Sequence, residues 1–270
     1  MSRVTDTEVR KIPTWIDGRR LLGDGAWAFS LESDGTNTAR AKLTREQAAD
    51  LDARLRKVGL GGHLLEVSIT PKLSRDEVRE GRLVDARRRR ETTPGFLRKG
   101  TRLDDEGRMS LTPEVLALAV AKQVAGATVL DAGCGVGGNA IAFAREGCRV
   151  IAVEQNKERL LLAKHNAALY GVGKRIEFVE GDALALAHTR AADVLFVDPP
   201  WGAQWERVRT LLDDFPLLAQ LARSSRFAKK LFKVPPSFDP TSASGFVPTA
   251  YFGDERGDFR RIKFVLLTNP

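Results

Sequence analysis

The chain has 270 residues, 43% of them hydrophobic, and a formal net charge of +8. That length suits one large α/β domain with a small companion, and the charge favours an anionic partner such as nucleic acid. Two cysteines (Cys134, Cys148) exclude a disulfide framework, the three histidines (His63, His165, His188) have no metal-ligand spacing, and no apolar run spans a bilayer; a cytoplasmic protein with neither metal nor membrane attachment is expected.

Residues 1–92 read as a small α+β module, a candidate for substrate recognition. Weak alternation at Trp15-Ile16-Asp17-Gly18 and at Ala26-Trp27-Ala28-Phe29 predicts short strands, with both tryptophans as packing residues. Thr44-Arg45-Glu46-Gln47 is a capping box that opens a helix to about Val58. His63 to Ile69 predicts one strand, ended by Pro71, and Ser74-Arg75-Asp76-Glu77 caps a second helix running towards Arg90. The stretch 82–102 is the most basic in the chain. It holds Arg87 to Arg90 in a row, then Arg98, Lys99 and Arg102, and reads either as a solvated face or as a phosphate-contact surface. Thr93-Pro94-Gly95 marks the domain boundary.

Residues 93–270 alternate strand and helix. Thr112 fits an N-cap and Pro113 the first helical position before the apolar run Val115 to Val120. Strands follow at Ala127–Asp131, Arg149–Glu154, Arg175–Val179, Asp193–Asp198 and about Lys230–Val234, with helices at Ala140–Glu146, Asn156–Tyr170 and Leu217–Arg223. Thr249–Phe252 and Arg260–Leu267 close the chain as a hairpin. The pattern predicts a doubly wound, Rossmann-like parallel sheet with a terminal antiparallel hairpin.

Two stretches carry the chemistry. Gly133-Cys134-Gly135-Val136-Gly137-Gly138 follows an apolar strand that ends in Asp131, an arrangement that lays a nucleotide-like ligand against backbone N–H groups. Glu154 ends the next strand about twenty residues on, where an acid accepts from ribose hydroxyls. Asp182, after the third strand, suits either an exocyclic amine or a helix cap. Asp198-Pro199-Pro200-Trp201 ends the fourth strand: a carboxylate and a proline carbonyl orient an NH2 group, and an indole stacks on a base. Trp205 is a candidate second ring.

These motifs resemble class I methyltransferases that use S-adenosylmethionine. Leu103-Asp104-Asp105-Glu106-Gly107, Ser110-Leu111-Thr112-Pro113-Glu114, Cys134 to Asn139, Pro199-Pro200-Trp201-Gly202 and Ala250-Tyr251-Phe252-Gly253-Asp254 are similar to the trimethylguanosine synthase family, which methylates guanine N2 of capped RNA. The resemblance implies S-adenosylmethionine held by Thr112, Asp131, Gly133, Cys134, Gly135, Asn139, Glu154, Asp182, Ala183 and Asp198. The residues themselves point to Asp198, Pro199 and Trp201 as catalytic and, by charge and by place, to Trp201, Pro200, Arg98, Lys99 and Lys233 as contacts to an RNA substrate. The family usually carries Ser at the position of Asp198 and a Gly-Gly-Pro-x-Tyr run where this chain has Gly202-Ala203-Gln204-Trp205. The expected activity is therefore methylation of an exocyclic base amine, guanine N2 first. Adenine N6 of DNA or RNA, and a non-catalytic RNA-binding protein with a vestigial pocket, are the alternatives.

Overall fold

The structure is a computed structural model that describes residues 4–201 and 208–270. The N-terminal part contains β1 (Val4–Pro13), α1 (Gly18–Leu22), β2 (Ala28–Leu31), β3 (Thr36–Thr44), α2 (Arg45–Leu55), β4 (Gly59–Leu60), β5 (His63–Leu64), β6 (Glu66–Thr70) and α3 (Arg75–Arg88). Its sheet has the order β2-β3-β1-β6, all antiparallel. The long strands β1 and β3 carry Thr5, Thr7, Thr36 and Thr38 as buried residues, so burial there is not matched by hydropathy. Trp15-Ile16-Asp17-Gly18 is not a strand: β1 ends at Pro13, and Asp17 caps α1 by accepting from the Arg20 N–H. The strand expected over 63–69 is split, because Leu65 turns into the core and its N–H bonds the Val58 carbonyl at 2.9 Å. Both capping boxes form at Thr44 and Ser74. Trp27 is buried and its indole N–H donates to the Gly23 carbonyl at 3.1 Å.

The second part contains α4 (Asp105–Ser110), α5 (Glu114–Ala121), β7 (Thr128–Ala132), α6 (Gly138–Arg145), β8 (Arg149–Glu154), α7 (Lys157–Leu169), β9 (Ile176–Glu180), α8 (Ala183–Thr189), β10 (Val194–Val197), α9 (Pro216–Ala222), β11 (Lys229–Val234), β12 (Val247–Phe252) and β13 (Ile262–Thr268). The sheet order is β12-β13-β11-β10-β7-β8-β9. β7 pairs in parallel with β8 and β10, and β13 runs antiparallel between β11 and β12. Successive residues point to opposite faces of a strand. Val129, Phe196 and Leu231 accordingly join the core under α5, α6 and α7, whereas Leu130, Leu195 and Phe232 join the core under α8 and α9. The chain winds from β7 out to β9 and returns on the other side at β10. This makes the carboxyl ends of β7 and β10 the switch point, where ligands bind in open α/β sheets.

The N-terminal part docks on that same edge. Val234, at the end of β11, pairs with Val265, and Phe252 pairs with Ile262, so the β12–β13 turn sits beside the carboxyl ends of the parallel strands. Thr93 is buried there, its N–H and hydroxyl donating to Asp258 at 3.0 and 2.7 Å. Arg261 pairs with Asp85, and Arg20 lies 4.7 Å over the Phe252 ring. The Gly61 and Gly62 N–H groups donate to the Pro236 and Ser237 carbonyls just after β11. The stretch read as a boundary at 93–95 is therefore a point of attachment. Among the described residues no helix is long and apolar enough to cross a membrane.

Gly81 tests how α3 packs on α2. Alanine in a helix interior normally gains about 1 kcal/mol over glycine. A Cβ at Gly81, however, would stand 2.6 Å from the Ala49 carbonyl oxygen. Thermal unfolding of Gly81→Ala should show a net loss of about 1–2 kcal/mol; a gain would contradict this packing.

Candidate active site

The site begins where β7 ends. Gly133 and Gly135 have φ of 97° and 55°, which excludes most side chains, and a Cβ on either would meet nothing within 4 Å. The turn leaves an open face. It is tied down from behind by the Gly133 and Cys134 N–H groups, which share the Val153 carbonyl at 3.0 and 2.7 Å. Glu154, at the tip of β8, accepts from the Gly135 N–H at 3.0 Å through one oxygen and from the Asn156 N–H at 2.9 Å through the other. It is a buried clamp on the glycine turn. Each oxygen keeps acceptor capacity beyond its one backbone bond.

Asp131 lies fully buried beneath this turn, and neither carboxyl oxygen has a hydrogen-bond partner among the described residues. Burial, then the neighbouring Asp198 and Glu154 carboxylates, push its pKa up to about 8; the Ala140 backbone and Lys233 offset only part of this. An orphaned buried carboxyl beside an open glycine turn suits a ligand that brings a cation or N–H donors. The Cys134 thiol is buried and raised well above its usual range by burial and by Asp131 and Glu154, so it fills the turn and is no nucleophile.

Across the switch point stands a second cluster. The Lys233 ammonium, buried on β11, donates to Asp198 Oδ2 at 2.7 Å and to Thr112 Oγ1 at 2.9 Å. Asn139 Nδ2, on α6, donates to the same Asp198 oxygen at 3.3 Å, and the Thr112 hydroxyl lies 3.4 Å from it. Lys233 Nζ is 5.4 Å from the centroid of the Trp201 ring, which packs against the cores on both faces of the sheet. Pro199 is buried and Pro200 exposed. Asp198, Asn139, Thr112, Trp201 and Lys233 thus come together. Two expectations change in detail. Thr112 is not the N-cap of α5; Pro113 takes that place with φ −52° and ψ 134°, which leaves the Thr112 hydroxyl to the ion pair. Lys233 is the buried partner of Asp198, a pairing hidden by a separation of 35 residues in sequence.

Other expected residues lie outside this cluster. Asp182 caps α8, accepting from the Ala185 N–H at 2.8 Å, with Ala183 as the first helical residue. Arg98 is not brought to Asp198. Its guanidinium donates to the Leu169 carbonyl at the far end of α7 and lies 5.6 Å over the Tyr170 ring. Lys99 is exposed beside it. Gly202, Ala203, Gln204 and Trp205 fall outside the described residues.

Two predictions follow from these charges. A folded-state pKa above the unfolded one means that Asp131 takes up a proton on folding. The stability it contributes is present in acid and lost as pH rises towards 8. Asp131→Asn should therefore gain stability relative to the parent from about pH 5 to about pH 8 in urea unfolding; a flat difference would contradict the assignment. Removing one member of the Lys233–Asp198 pair strands the other. Lys233→Met should cost about 3–5 kcal/mol, and adding Asp198→Asn should restore part of it. Strict additivity would mean that the two groups do not interact.

Comparison with known proteins points the same way. A family model described as RNA cap guanine-N2 methyltransferase matches residues 126–213. The chain is similar to trimethylguanosine synthase of Schizosaccharomyces pombe, 38% identical over 38% of this chain and 47% of that protein. It is also similar to an uncharacterized RNA methyltransferase of Parasynechococcus marenigrum, 34% identical over 39% of this chain and 24% of that one. Release factor glutamine methyltransferase of Enterococcus faecalis is 38% identical over 29% of this chain and 28% of its own length. The chain thus spans less than half the length of each of these relatives. A methyltransferase from Thiobacillus denitrificans, solved with S-adenosyl-L-homocysteine, superposes on 46% of this chain and 49% of its own at 27% identity, with a TM-score of 0.35. The chain carries the class I S-adenosylmethionine-dependent methyltransferase fold, and its residues 126–213 resemble the RNA cap guanine-N2 methyltransferase family.

Proposed function

We propose that this protein transfers a methyl group from S-adenosylmethionine to an exocyclic amine of an RNA base, guanine N2 by preference. The observation that carries the reading is the pairing of an open glycine turn over an orphaned Asp131 with an Asp198-Pro-Pro-Trp stretch on the adjoining strand. The residues fit the cofactor. Asp131 suits the ammonium of its methionine part, Glu154 has acceptor capacity for ribose hydroxyls, and Asp182 has a second oxygen for the adenine amine. Thr112 and Lys233 offer donors for its carboxylate. When bound, the cofactor supplies an electrophilic methyl group on its sulfonium.

The chain's own task is then to position. Asp198 is engaged through Oδ2 by Lys233, Asn139 and Thr112, so Oδ1 is the oxygen turned to an incoming amine. Lys233 neutralises the carboxylate charge, which makes Asp198 an acceptor that aims a lone pair more than a base that removes a proton. The Pro199 carbonyl supplies a second acceptor, and the Trp201 indole a stacking face. Substrate choice rests on the family match and on the Trp201 indole beside Lys233.

The purified chain should be incubated with S-adenosylmethionine and cellular RNA, and the nucleosides read by mass spectrometry. N2-methylguanosine is expected; N6-methyladenosine in RNA or DNA would overturn the guanine assignment, and no methylated nucleoside would overturn the enzyme reading. Trp201→Ala should lower kcat/KM about 100-fold or more while calorimetric cofactor binding is retained, and Asp198→Asn should lower kcat/KM at least as far under conditions where the variant is folded. Near-parental turnover in either would remove that residue from the site.

A further inference from the structure

The arginines singled out in sequence do not form the basic surface that the fold presents. In the row Arg87 to Arg90, Arg88 is held by Asp50 at 2.6 Å and Arg89 by Asp85 at 2.9 Å. The face of α3 turned away from α2 is different. Gly81 packs on Ala49 of α2 and Asp85 is buried, whereas Arg75, Arg79 and Arg82, spaced i, i+4 and i+7, share the opposite, exposed stripe. That stripe is about 10 Å long. Arg79 meets Asp76 at 3.5 Å with both side chains in solvent, a contact that competes weakly with a better anion.

The three arginines line an open groove of about 480 Å³ whose floor is apolar: Leu73, Val78 and Leu83, the last 45% exposed. Planar guanidinium forks match phosphate oxygens in pairs and also stack on bases. A concave site with cationic walls and an apolar floor fits a phosphate with an unstacked base beside it better than it fits a duplex surface. The charge distribution agrees: residues 75–102 contain ten Lys and Arg against five Asp and Glu. The other end of the same helix is joined to the part that carries Asp198. α3 runs into Glu91, whose carbonyl accepts the Gly257 N–H at 2.7 Å in the β12–β13 turn, on the sheet edge that carries Asp198.

We infer that the Arg75–Arg79–Arg82 groove binds single-stranded RNA, holding the substrate strand on the N-terminal part while a base enters the site at Trp201. The inference rests on RNA being the substrate, and it assigns to residues 1–92 the task of gripping that substrate.

The test uses the whole chain, a fluorescein-labelled single-stranded RNA of mixed sequence, and anisotropy titrations at several salt concentrations. Replacing Arg75→Gln, Arg79→Gln and Arg82→Gln together should weaken binding about tenfold or more and flatten the slope of log K against log salt by about 2, near 0.7 per lost single-strand contact. Melting temperature and S-adenosylmethionine binding should be unchanged, because all three side chains are exposed. Equal affinity and slope in the triple variant, no RNA binding by the parent, or displacement of RNA by a polyglutamate peptide at lower concentration than by unlabelled RNA would each overturn the inference. The readout is separate from catalysis. RNA binding lost in the triple variant by a parent that methylates nothing would support the groove and sink the enzyme reading. Methylation at unchanged KM by the triple variant would do the reverse.

Discussion

Three carboxylates, Asp131, Glu154 and Asp198, converge at the carboxyl ends of β7, β8 and β10, and the site depends on how their mutual repulsion is met. Glu154 is satisfied by two backbone N–H groups, from the glycine turn and from Asn156. Asp198 is satisfied by a buried ammonium, an amide and a hydroxyl. Asp131 has no partner of its own and bears the cost as a raised pKa. Because the chain meets the needs of the other two, the third is where an incoming cation gains most. The fold therefore holds an unbalanced group at the place where the turn is open.

That solution constrains elements some distance away. β11 must bury the Lys233 ammonium among apolar neighbours, with the rings of Trp201 and Phe264 at 5.4 and 5.3 Å from it. Thr112 must stay outside the helix it precedes so that its hydroxyl reaches Lys233. α4 is pinned nearby, with Asp104 accepting the Gly107 N–H and pairing with Arg159 at 2.6 Å. The N-terminal part attaches at the same edge, through the Gly61–Gly62 turn, Asp85 of α3 and Thr93.

The parallel sheet and its open turn were legible in sequence because both leave local signals. Strands buried on two faces read as continuous apolar runs, and left-handed turn positions need glycine. Glu154 was legible by its distance from the turn. What escaped was set by tertiary contact. β1 and β3 bury threonines, so no hydropathy alternation announces them. Thr112 before Pro113 has the form of a helix cap, yet its hydroxyl finds a stronger donor in Lys233. Arg98 was drawn towards the site by charge alone, while in the fold it serves the end of α7. The arginine stripe of α3 lay hidden in a helix whose most conspicuous charges, Arg88 and Arg89, are spent internally.

The central claim is that burial and the neighbouring carboxylates hold the Asp131 pKa up, so that an ammonium brought by S-adenosylmethionine would displace a proton from it. Isothermal titration of the cofactor into the protein near pH 7, repeated in buffers of different ionisation enthalpy, measures this directly. The account predicts binding with net proton release that vanishes in Asp131→Asn. Binding without proton transfer, or no binding at all, would contradict it.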